Sequence, residues 1–94
     1  MQRGIEINVT DNIEKTYNWE PGQQGVFECS GSAYDSGVFT LYSVSKTGHE
    51  QVIGAHSAAD GRFQFSTAAD RVRLKVTAVA GAAADVDVML APLR

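Results

Sequence analysis

Apolar and polar side chains alternate along most of this chain, in short runs separated by turn-forming residues. That rhythm leaves few folds open. A strand sends successive side chains to opposite faces, so a period of two marks a strand with one buried face. Ile5, Ile7 and Val9 alternate with Glu6, Asn8 and Thr10, and Asp11-Asn12 breaks the run. Ile13, Lys15, Tyr17 and Trp19 share a face, and Glu20-Pro21-Gly22 turns the chain, with glycine taking a positive φ. Gly25–Ser30 carries Phe27 and Cys29 inward, and Gly31–Gly37 reads as a loop. Val38–Ser45 is apolar on both faces, which suits a central strand. Lys46-Thr47-Gly48 forms a hairpin turn into His49–Ala55, and Ala59-Asp60-Gly61 reads as a second hairpin turn before Phe63 and Phe65. Arg71–Ala78 alternates most clearly, and Asp85–Leu90 returns with Val86, Val88 and Leu90 inward before Pro92.

The pattern predicts an all-β chain, a single antiparallel β-sandwich (jelly-roll-like) of seven or eight short strands. No repeat or linker divides residues 1–94, so one domain is expected. Composition agrees: ten Val, six Thr, four Ile and eight aromatic residues stand against four Leu, a balance suited to a pleated surface. With 44% hydrophobic and 20% charged residues, wholesale disorder is excluded.

The last two runs permit a register. If they form a hairpin centred on Gly81, Lys75 faces Asp87 and Thr77 faces Asp85, pairing charges across an outer face.

Several chemistries find no support. The formal net charge of −3 disfavours a nucleic-acid binder, which would be basic. The apolar run Val76–Ala84, broken by Thr77, is far short of the ~20 residues of a membrane helix. After Met1-Gln2-Arg3-Gly4 no apolar stretch follows, which reads as a chain made in the cytoplasm and not secreted. Cys29 is the only cysteine, beside Glu28 and without a nearby histidine, and reads as a core thiol. His49-Glu50 and His56 do not complete a metal ligand set. Asp85 and Asp87 would sit about 7 Å apart on one strand, but on a flat face rather than in a cleft. The glycine clusters Gly22–Gly25 and Gly31–Gly37 lack the lysine and helix of a phosphate loop. No enzyme, cofactor or metal is expected.

Two binding classes remain. Trp19, Tyr34 and Tyr42 are candidate platforms for stacking on a glycan. A protein interface is the stronger expectation, because a small domain gains stability from a partner, a homo-oligomer included. Its candidate residues are Gln2, Arg3, Ile5 and Ile7 of an amino-terminal strand able to add to a neighbour's sheet, Tyr34, Asp35 and Ser36 of the first loop, and Ala82, Ala83 and Ala84 of the last.

The segments Gly37–Ser45, Thr47-Gly48, Gln51–Gly54, Ala59–Phe65 and Arg71–Ala78 together resemble small tailed-bacteriophage virion proteins, over roughly residues 24–90. The resemblance implies a β-sandwich or jelly-roll virion component. Its expected role is capsid decoration or cement, bound to the major capsid protein or another virion protein. A head–tail connector or tail component is the alternative. No catalytic residues carry over.

Overall fold

The computed structural model describes residues 4–57, 59–79 and 84–93. Among the described residues eight strands form: β1 (Ile5–Val9), β2 (Ile13–Asn18), β3 (Gly25–Ala33), β4 (Val38–Val44), β5 (Glu50–Ser57), β6 (Gly61–Phe65), β7 (Arg71–Thr77) and β8 (Asp85–Pro92). They build two four-stranded antiparallel sheets, ordered β1-β8-β3-β6 and β2-β7-β4-β5. Strands β1 and β8, β2 and β7, β3 and β6, and β4 and β5 are all paired, so the chain is one long ribbon folded back on itself and rolled. This is the jelly-roll order, and the expected fold class is the observed one.

The core lies between the sheets. One inner face contributes Val9, Phe27, Cys29, Phe65, Val86, Val88 and Leu90, the other Phe39, Leu41, Val72, Leu74 and Val76, all buried. The register explains this: Ile7 faces Val88 and Val88 faces Cys29, while Leu41 faces Leu74, so apolar positions form rows across each sheet. Val38–Val44 is an interior strand between β7 and β5, as its two apolar faces require. At the far end Trp19 closes the sandwich: it is 2% exposed, stacks 5.1 Å from Phe65 and donates its indole N–H to Gln23 O at 2.9 Å.

Two expected hairpins are corrected. Strands β7 and β8 belong to different sheets, so Lys75 does not face Asp87. Lys75 instead donates to Glu50 Oε1 at 2.9 Å and lies over the Tyr42 ring, 5.0 Å from its centre. That bond, and the one from Arg73, hold the Glu50 carboxyl below its usual range. Asp87 accepts from Asn8 Nδ2 at 3.0 Å in the other sheet. Likewise β5 and β6 are not paired, so Asp60-Gly61 turns the chain from one sheet to the other. Alternation had set Phe27, Cys29, Phe63, Phe65, Val86, Val88 and Leu90 inward, as they are found, but the connections cross between layers.

One irregularity repositions β5. The register slips where Leu41 faces Gly54 and Tyr42 faces Val52, leaving Ile53 as the extra residue of a bulge. The bulge turns His56 inward opposite Phe39. There it packs between Phe27 and Phe63, at 4.8 and 4.9 Å between ring centres, and its Nε2–H donates to Phe27 O at 3.1 Å. His49 lies exposed before β5, at the opposite end of that strand.

Candidate functional site

The strand registers bring four connections to one end of the roll. Val9 lies beside Val86, Ile13 beside Val76, Ala33 beside Asp85, Val38 beside both Thr77 and Ser57, and Cys29 beside Gly61. Each connection at this end carries the chain from one sheet to the other. The opposite end holds the turns at 19–24, 45–49 and 66–70.

The two ends differ in backbone chemistry. Positive φ at the far end falls on Gly22 (82°) and Gly48 (89°), residues without a Cβ to clash. At the crossover end it falls on Asp35 (50°), Ser36 (64°) and Ala78 (66°), the non-glycine residues with positive φ among those described. A side chain in this left-handed region costs about 1–2 kcal/mol per residue, less for Asp. Tyr34–Gly37 is a closed turn, with Gly37 N–H donating to Tyr34 O at 2.8 Å and both central residues at positive φ, a shape that usually selects Asn-Gly.

Side chains from other connections hold this end. Asn12 clasps the backbone of Val79: Val79 N–H donates to Asn12 Oδ1 at 2.9 Å and Asn12 Nδ2 donates to Val79 O at 3.4 Å. Asp60 Oδ1 accepts from Gly31 N–H at 2.9 Å and from the Tyr34 hydroxyl. These two bonds, that from Tyr34 first, hold the Asp60 carboxyl below its usual range. Burial first, then Asp60, raises the Tyr34 phenol. The Tyr34 ring meets Phe39 edge-on at 5.8 Å. Gly37 lies so close to Val79 that a Cβ there would sit 3.0 Å from its Cγ2. The end is one connected piece.

It is also acidic. Asp11, Asp35 and Asp60 lie in its connections and Asp85 opens β8, whereas residues 10–12, 34–37, 58–60 and 78–84 contain no Lys or Arg. On the outer face of the first sheet a shallow groove of about 380 Å³ carries Glu6, Asn8, Glu28, Asp87 and Met89. Asn8 Nδ2 bridges Asp85 (2.8 Å) and Asp87 (3.0 Å) across it, and both carboxylates lie on this exposed face.

The sequence-predicted residues divide by place. Tyr34, Asp35 and Ser36 form the turn just described. Ala84 reaches the same end but is 3% exposed and packs in the core. Ile5 and Ile7 face inward from β1, half-buried, with β1 paired to β8 along its length. Gln2, Arg3, Ala82 and Ala83 lie outside the described residues. Trp19, Tyr34 and Tyr42 form no common platform: they occupy the far end of the core, the crossover turn and the outer face of the second sheet. Cys29 is 1% exposed, and burial, followed by Asp60 and Glu28, pushes its thiol up to about 12, so it stays protonated. Asn12 and Asp60 are the residues that sequence reading missed, having marked both only as breaks between strands.

No family model and no curated protein matches the chain. Among solved structures, it is similar to the periplasmic inhibitor of g-type lysozyme from Aeromonas hydrophila, with a TM-score of 0.65 and 16% identity over 97% of this chain and 87% of that one. It is equally similar to a protein from Sulfurospirillum deleyianum, with a TM-score of 0.65 and 7% identity over 100% and 99% of the two chains. At these identities the likeness is one of fold. The expected virion role, as decoration or cement protein, connector or tail component, is corrected: a matching fold of known role is a lysozyme inhibitor's and not a capsid component's. The same roll of paired strands suits either, and strand-and-turn patterns cannot separate them.

Proposed function

We propose that this protein is an inhibitor that binds a lysozyme-type glycosidase through the crossover end of its jelly roll. The observation that carries the reading is the concentration of Asp35, Ser36 and Ala78, three non-glycine residues in the left-handed region, at that one end. Strain kept in place by surrounding contacts is characteristic of recognition and ligand-clamping elements. Here the contacts come from Asn12, Asp60 and Phe39. A preset turn binds with little loss of backbone freedom. The acidic end steers the encounter towards a cationic surface. The fold likeness to a lysozyme inhibitor supplies the partner class. The protein acts by occupying its partner and performs no chemical step of its own.

The test is a cell-wall lysis assay with a g-type lysozyme and increasing amounts of this protein. Lysis is expected to fall as the protein approaches equimolar with the enzyme. Inhibition should weaken as salt rises from about 50 to about 500 mM, because screening shortens the reach of the acidic end. Undiminished lysis at a large excess of the protein contradicts the reading.

A further inference from the structure

We infer that Asp60 is a positioning residue, the latch that sets the Tyr34–Gly37 turn in its binding shape before a partner arrives. The inference rests on the inhibitor reading for what the turn binds, and on geometry for the latch itself. Asp60 lies in the connection from β5 to β6, which runs from the second sheet to the first. The turn lies in the connection from β3 to β4, which runs the other way. One carboxylate oxygen ties the two, accepting from Gly31 N–H just before the turn and from the Tyr34 hydroxyl at its first residue. Between those two anchors the register of β3 against β8 shifts, between Gly31 and Ala33. The β3 ladder therefore does not by itself carry a fixed geometry into the turn. The ring of Tyr34 has the edge of Phe39 on one side, an apolar contact without directional hold on the hydroxyl. Asp60 provides that direction. Its side chain is exposed and takes no part in the core, so its removal should disturb the turn far more than the fold.

Three variants decide the matter: Asp60→Ala, which removes the acceptor; Asp60→Asn, which keeps an acceptor oxygen; and Tyr34→Phe, which removes the hydroxyl donor and keeps the ring. The first readout is amide hydrogen exchange of Gly37, whose N–H closes the turn. Tyr34→Phe is expected to speed it roughly tenfold, the scale of one lost hydrogen bond to a charged group, and Asp60→Ala, which also frees Gly31 N–H, at least as much. The double variant should go no further than Asp60→Ala, which already breaks the Tyr34 contact along with the one to Gly31. Asp60→Asn should remain near the wild-type rate. The second readout is the dissociation constant for g-type lysozyme, expected to rise about tenfold with Asp60→Ala while the melting temperature moves by only a few degrees. Unchanged Gly37 exchange in Asp60→Ala, or fully additive effects in the double variant, overturns the latch. Altered exchange with unaltered affinity overturns its positioning role. If the wild-type protein binds no lysozyme, the inhibitor reading fails, and the exchange rates still decide the latch.

Discussion

Phe27→Ala is expected to lower the unfolding free energy by about 3–5 kcal/mol, seen as a large fall in the urea midpoint. Phe27 is fully buried on β3, an interior strand flanked by β8 and β6. Its neighbours across the ladder are Leu90 and Phe63. Its ring meets His56 at 4.8 Å and Phe63 edge-on at 5.4 Å, and its carbonyl accepts the His56 Nε2–H. Alanine leaves a void bordered by the His56 and Phe63 rings, which pack on each other at 4.9 Å. A chain of this length holds roughly 5–14 kcal/mol of stability in all, so one substitution removes a large share. A loss below about 1 kcal/mol would contradict this packing of the two sheets.

The second large effect is expected at Gly31. A Cβ added there would lie 2.5 Å from Asp85 O and 2.8 Å from Val86 Cα, both backbone atoms of the paired strand β8. Neither can turn aside as a side chain would, so β8 must shift along its first residues. Gly31→Ala should therefore cost about 1–3 kcal/mol, the usual range for overpacking. Because Gly31 N–H also donates to Asp60, the same substitution should loosen the Tyr34 turn and weaken partner binding. Gly4→Ala is the control, since its Cβ would rest at 3.8 Å from Ala91 Cβ, an ordinary contact. Equal stability of the two variants, measured by denaturant unfolding, would show that the β3–β8 approach is looser than described.

Much of the fold was legible because each strand carries its own period of two. Ile5–Val9 and Arg71–Thr77 are found where alternation put them, and Gly22 takes the positive φ that its turn required. Alternation tells which face of a strand is buried but not which strand lies beside it. Hence β7 and β8 look like a hairpin in sequence and lie in separate sheets in the structure. The bulge at Ile53, which turns His56 into the core, depends on the partner strand and leaves no mark in a single sequence. The site shows the same division. Tyr34, Asp35 and Ser36 stood out as a polar loop carrying an aromatic residue. What holds that loop comes from far along the chain: Asp60 is 26 residues from Tyr34, and Asn12 is 67 residues from Val79. Local pattern cannot bring such residues together, whereas the rolled topology does.

In the proposed function the crossover end is the surface that meets a lysozyme-type partner. Backbone amide chemical shifts of the protein, followed by nuclear magnetic resonance as unlabelled g-type lysozyme is added, test it most directly. The largest changes are expected on residues 34–37, Asp60, Ala78, Val79 and Asp85, while the turns at 20–23, 45–49 and 66–70 stay still. Changes concentrated at that far end, with residues 34–37 undisturbed in a formed complex, would contradict it.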